Sequence, residues 1–235
     1  MGLNGPAPPA GYGMGAKITQ GTTGVATDTA TIRVTGVRNT FTGIKFMNSS
    51  ATATCLHTVE ECGEYTRYHN CEFYKSGLLT TDLTAEVLMN GDSSQFYGCT
   101  FGDLVNERGA SGKERPNVKL DRETVAGKVC RDGLFADCTF LHKAAHVDAC
   151  FVYGKNTTDV ERRLIFKNCI FMNCVLATAD PADCVNFSGA QTTGDVLMLN
   201  CDSVNCSAIA GASLNVYVNN TGLLTTAGIT EEIAA

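Results

Sequence analysis

The 235-residue sequence has no tryptophan, only 5 prolines, and no apolar run near the ~20 residues that a membrane-spanning helix needs, so no such helix is expected. Basic charge is also in short supply: 18 Lys and Arg stand against 24 Asp and Glu, a net charge of −6 at pH 7. Neutralising the phosphates of a nucleic acid takes clustered Lys and Arg, so a general nucleic-acid binder is excluded. Paired CxxC knuckles, the strong signature of structural zinc, are missing. So is a phosphate-cradling loop of the GxxxxGKS type. The start, Met1-Gly2-Leu3-Asn4-Gly5-Pro6, lacks a basic region followed by an apolar stretch, and a signal peptide is not expected. With 44% hydrophobic and 18% charged residues, the chain can nevertheless bury a core.

Cysteine, by contrast, is abundant, with 12 copies. A disulfide scaffold is usually short and secreted, which does not fit this chain. The nearest approach to a metal motif is Cys55-Leu56-His57 with Cys62 beyond it, short of the four spaced ligands of a structural zinc site. No metal and no cofactor are therefore expected. The remaining reading treats the thiols as small buried hydrophobes. It implies that they recur at fixed steps.

They do. Six segments share one form: Phe41-Thr42-Gly43-Ile44-Lys45-Phe46, Tyr68-His69-Asn70-Cys71-Glu72-Phe73, Phe96-Tyr97-Gly98-Cys99-Thr100-Phe101, Phe135-Ala136-Asp137-Cys138-Thr139-Phe140, Phe166-Lys167-Asn168-Cys169-Ile170-Phe171 and Met198-Leu199-Asn200-Cys201-Asp202-Ser203. Counted at the cysteine position, with Ile44 in the first copy, the steps are 27, 28, 39, 31 and 32 residues. The Gly/Asn/Asp column holds residues that tolerate a left-handed backbone, so the chain bends there at low steric cost. After the bend, Cys and Phe lie two apart and share one face of a strand. Four positions after each Cys, Asn48, Lys75, Asp103, His142, Asn173 and Asn205 are expected to form another polar turn. A second strand per repeat is expected in Val87–Gly91, Val129–Gly133, Cys150–Gly154 and Cys184–Gly189. Short β segments repeating every ~30 residues describe a solenoid, and helical or leucine-rich repeats are excluded by their missing periodicities. The fold class is all-β: a single-stranded right-handed parallel β-helix of six to seven coils.

The Asn-Cys-x-Phe ladder resembles the pectate-lyase-like β-helix superfamily over roughly residues 30–220, at the level of pattern. Within that architecture, a short β-helix with free thiols and Thr/Ala/Gly-rich ends is similar to bacteriophage virion proteins of the capsid-decoration or spike type. What the resemblance implies is a non-enzymatic particle protein, made in the host cytoplasm. Its expected partners are other capsid or tail proteins and copies of itself, with a trimer as one form, and surface polysaccharide in the alternative. Neither nucleic acid nor membrane is among them.

Three regions lie outside the repeat. Residues 1–30 form an expected extended arm carrying Pro6, Pro8 and Pro9. Residues 31–218 form the solenoid, interrupted by an expected insertion loop at 105–127. Residues 219–235 form an expected tail with Leu223, Leu224 and Ile229. From 105 to 128 the chain carries six basic and four acidic residues, and Arg108, Arg115 and Arg122 are the candidate docking arginines, a residue type favoured at interfaces. An open solenoid end must be capped, by the tail or by a neighbouring subunit. The alternative function, a carbohydrate-binding or polysaccharide-cleaving module, needs two carboxylates at a defined separation. Asp132, Asp148 and Asp183 are the candidates, although the catalytic signatures of the superfamily are not found.

Overall fold

The computed structural model describes residues 17–20, 30–50, 55–75, 84–104, 116–122, 128–144, 149–174, 183–187, 193–206, 208–210, 216–220 and 223–224. Its strands, numbered in chain order, fall into three sheets. Sheet 1 contains β1 (Lys17–Gln20), β4 (Lys45–Asn48), β7 (Glu72–Lys75), β10 (Thr100–Gly102), β13 (Thr139–His142), β16 (Ile170–Asn173) and β19 (Asp202–Val204). Sheet 2 contains β2 (Ala30–Val34), β5 (His57–Glu61), β8 (Ala85–Met89), β11 (Val118–Leu120), β14 (Val152–Gly154), β17 (Asp183–Phe187) and β20 (Ala208–Ala210). Sheet 3 contains β3 (Thr40–Thr42), β6 (Arg67–His69), β9 (Gln95–Tyr97), β12 (Gly133–Ala136), β15 (Arg163–Lys167), β18 (Asp195–Leu199), β21 (Val216–Asn220) and β22 (Leu223–Leu224). Every third strand pairs in parallel, so the chain winds as a right-handed β-solenoid, a fold consistent with the pectate-lyase-like architecture.

The repeat maps onto this winding rung by rung. Phe41, Tyr68, Phe96, Phe135 and Phe166 stack along the inside of sheet 3 with ring centroids 4.6–5.0 Å apart. Phe46, Phe73, Phe101, Phe140 and Phe171 stack along sheet 1 at 4.7–5.2 Å. The two columns meet edge to face, as between Tyr68 and Phe73 at 5.5 Å, the geometry that the ring quadrupoles favour. Between them runs the buried column Cys71, Cys99, Cys138, Cys169 and Cys201. Each thiol donates across a coil boundary: Cys99 Sγ reaches the Tyr68 carbonyl and Cys138 Sγ the Phe96 carbonyl, both at 3.5 Å. All twelve cysteines are free thiols, ten of them buried.

The bend into sheet 1 is left-handed, as the residue types imply. Asn70, Asp137, Asn168 and Asn200 have φ of 52°, 55°, 53° and 51°. Gly98 fills the same column at φ 59°, where an added Cβ would stand 2.6 Å from Asn70 Oδ1. The bends also bond to one another: Asn168 Nδ2 donates to Asp137 Oδ1 at 3.0 Å, and Asn200 Nδ2 to Asn168 Oδ1 at 3.1 Å. By register with Leu199 and Asn219, the next rung position falls at Asn220. There the chain reverses instead of bending, and β22 pairs antiparallel with β21 at Asn219↔Leu224 and Asn220↔Leu223.

Four expectations are corrected. The column four after each Cys is not a solvent-facing turn throughout: Asn48, Lys75, His142 and Asn173 are buried at the inward ends of their strands. They tie down corners between sheets 1 and 2, Asn48 Nδ2 donating forward to the His57 carbonyl at 2.7 Å and Asn173 exchanging bonds at 3.0 Å with the backbone of Ala144 in the preceding coil. The sheet 2 strand of the fourth repeat is Val118–Leu120, inside the segment expected to be insertion loop, whereas the expected strand Val129–Gly133 forms a corner over residues 129–132 and enters sheet 3 at Gly133. A three-residue strand with a central Lys among charged neighbours gives no alternation long enough to recognise. At the N-terminal side, Lys17–Gln20, within the expected arm, is the first strand of sheet 1 and pairs with β4. At the other end, the expected tail boundary of 219 falls within β21, which runs to Asn220.

Candidate functional site

Asp132 sits at the corner between sheets 2 and 3, just before β12, with φ 46°. Its carboxylate faces Arg162 Nη1 at 3.0 Å and Arg163 Nε at 3.7 Å. Asp183 opens β17, at the other end of sheet 2 and two coils further on, where it accepts a hydrogen bond from Asn186 Nδ2 at 3.4 Å. Burial pushes its carboxyl above the usual range. The winding thus separates Asp132 and Asp183 and does not form a two-carboxylate site from them. Asp148 lies outside the described residues, as do Arg108, Arg115, Pro6, Pro8, Pro9 and Ile229. Arg122 is exposed after β11, its backbone N–H held by Asp159 Oδ1 at 2.9 Å. Leu223 and Leu224 form β22.

Asp132 belongs to a ladder of ion pairs along that corner. Parallel bridges align Glu64, Asp92 and Arg131 in successive coils. Arg131 reaches Asp92 at 3.7 Å and Glu161 at 2.7 Å, Arg162 reaches Asp92 at 3.5 Å, and Lys128 reaches Glu64 at 3.6 Å. These side chains are about a quarter to a half exposed, so each pair contributes little alone; Arg131 meets acids in the adjacent coils, while Lys128 and Arg162 reach acids two coils back.

The polar concentration that the sequence did not disclose is on the outer face of sheet 2. Val59, Val87 and Val118 point into the core, so Thr58 and Glu60, Glu86 and Leu88, and Lys119 point outward. All five are nonetheless buried. Asn90, Asn117 and Asp121 extend this face and are buried too. Glu60 Oε2 accepts from Arg33 Nε at 2.8 Å, and Asp121 pairs with Lys119 at 3.4 Å and Lys155 at 3.5 Å. Among the described residues, Asn90 Oδ1 and Asn117 Oδ1 accept no hydrogen bond. Strand alternation marks an outward position; it does not say whether that position meets water, and that is why the sequence hid this face. The only cue was a Glu or Lys beside β-branched residues in one strand after another.

The Cys55/His57/Cys62 cluster is not a metal centre in this arrangement. His57 is fully buried, and burial with the nearby charges of Lys119 and Lys75 lowers its imidazole to about 3. Cys55 Sγ accepts from Asn48 Nδ2 at 3.2 Å, and burial beside Glu60 and Glu61 pushes the Cys62 thiol up to about 12. Among the described residues, no group of three or more His, Cys, Asp or Glu is placed to hold a metal ion. Nor is any helix there long and apolar enough to cross a membrane.

On the outer face of sheet 3 lies a different kind of surface. His69 and Tyr97 stack in parallel 5.0 Å apart, with Tyr97 Oη donating to Gln95 Oε1 at 2.9 Å and the exposed Arg67 alongside. Compared with known proteins, the chain matches no family model, no curated protein and no solved structure.

Proposed function

We propose that the chain is a non-enzymatic structural protein of a bacteriophage virion, a β-solenoid that decorates or cements the capsid, or attaches to the tail. Its arm, its tail and the segment around Arg108, Arg115 and Arg122 would hold it there. The observation that carries this reading is the direction of the side-chain interactions. Rings, thiols, bend asparagines and the Asp132–Arg162 ion pair link residues 30 to 42 positions apart, one coil to the next. Of the candidate carboxylates, Asp132 is engaged in the same way, with Arg162 from the following coil. A scaffold in which chemistry-bearing residues brace successive coils suits a rigid particle component. Quantitative mass spectrometry of purified particles tests it: the reading expects the chain in a fixed copy number per particle, and its absence from particles refutes it.

A second reading, binding of surface polysaccharide, is favoured by the outward His69–Tyr97 stack with Arg67 and Gln95 beside it. Aromatic faces flanked by hydrogen-bonding groups suit a ring with one apolar face and hydroxyl edges. Tyr97→Ala would then abolish retention on a capsular polysaccharide matrix, whereas release of reducing ends would assign cleavage as well.

A further inference from the structure

The outer face of sheet 3 changes character along the solenoid. In the early coils its central column is Thr40, Arg67 and Gln95; from there it becomes Leu134, Ile165, Leu197 and Tyr217, which are neighbours in register. All four are partly exposed, and they form a straight apolar stripe about 14 Å long at the ~4.8 Å spacing of strands. Charged residues flank it unevenly. On the side of the sheet 2 corner stand Arg163, 3.7 Å from Asp132 of the preceding coil, and, in the next coil, Asp195; on the side of the bend stands Lys167, followed by Leu199. Arg163 and Lys167 are exposed.

We propose that this stripe is a self-association surface, on which two copies of the chain pack face to face with their solenoid axes antiparallel. The flanking charges select this arrangement. A two-fold axis parallel to the strands, passing between the levels of β15 and β18, inverts the order of the rungs and keeps each flank against itself. Ile165 then meets Leu197 of the second copy, Leu134 meets its Tyr217, and Arg163 meets its Asp195, each contact occurring twice. A two-fold axis along the solenoid would instead set Arg163 against Lys167 at the same level, twice, placing like charges together at a cost that antiparallel packing avoids. The stripe is only four residues long and one residue wide, narrow beside the faces that bury the ~1,200–2,000 Å² typical of stable complexes, so a weak, concentration-dependent dimer is expected. This inference is independent of the virion reading.

Sedimentation of the full chain across a concentration series tests it. The expected result is a monomer–dimer equilibrium that Leu197→Glu abolishes, while Ile170→Glu, on the outer face of sheet 1, leaves it intact. Arg163→Glu weakens association by roughly tenfold or more, and the exchange Arg163→Glu with Asp195→Arg restores it, a readout that leaves the stripe untouched and does not depend on how Leu197→Glu folds. A chain that stays monomeric, a trimer indifferent to Leu197→Glu, or tighter association on Arg163→Glu alone would each overturn the proposal.

Discussion

Tyr68 donates its phenolic hydrogen to Oε2 of Glu61, and both side chains are wholly buried. The carboxylate sits at an inward position that Met89 and Leu120 occupy in the next two coils. It also accepts from Gly63 N at 2.8 Å and Ser94 Oγ at 3.0 Å, while burial raises its pKa. Losing one donor from a buried carboxylate costs about 1–3 kcal/mol, so Tyr68→Phe should destabilise by that amount in chemical denaturation. In combination with Glu61→Met the two effects should fall short of additive by roughly 0.5–3 kcal/mol; strict additivity would mean that the pair does not interact.

The stacked rings carry the core. Phe140 lies between Phe101 and Phe171 at 4.8 and 4.7 Å, fully buried. Phe140→Ala or Phe171→Ala should cost roughly 3–5 kcal/mol, read from the denaturation midpoint. A loss under about 1 kcal/mol would place the column outside the core.

His57 gives the fold a pH dependence of definite sign. Its folded value of about 3 lies below the ordinary 6.5, so the unfolded chain takes up the proton first. The stability from keeping it neutral is full above pH 6.5 and declines as pH falls toward 3. Between pH 6.5 and 5 the loss should be about 1.6 kcal/mol, the slope approaching 1.36 kcal/mol per unit only once the unfolded imidazole is fully protonated. His57→Gln should flatten this part of the stability profile, and an unchanged slope would contradict the burial of the imidazole.

At Asn168, exposed and at φ 53°, the demand is conformational. Asn168→Ala places an ordinary side chain in the left-handed region and removes the bond to Asp137, which should cost about 1–2 kcal/mol. Asn168→Gly should cost less, because glycine accepts that backbone freely. Equal losses would assign the whole effect to the amide ladder.

These residues also show which parts of the molecule the sequence made legible. The winding was readable because the interior repeats a chemistry: a ring, a left-handed bend and a thiol in each coil, from Tyr68-Asn70-Cys71 to Phe166-Asn168-Cys169. Val118–Leu120 was not, because three residues are too few to display a period. Nor was the inward turn of Lys75 and His142, since a polar side chain at a strand end can be hydrated or can bond a corner's backbone, as Lys75 Nζ does the Cys55 carbonyl at 3.0 Å, and only the winding decides which. The candidate carboxylates Asp132 and Asp183 looked alignable as long as their places around the coil were unknown. The covered polar face of sheet 2 stayed hidden for a related reason. Glu60, Glu86 and Lys119 occupy positions that alternation marks as outward, and burial there depends on what lies over the sheet.

The most direct test of the interior column is thiol labelling with iodoacetamide in the absence of reductant, resolved by peptide mass spectrometry. The structure predicts that only Cys174 and Cys206, the two partly exposed thiols, react promptly in the native protein, and that all twelve react once it is unfolded. Prompt native labelling of Cys71, Cys99, Cys138, Cys169 or Cys201, or disulfides that keep the unfolded count below twelve, would contradict the stacked solenoid core.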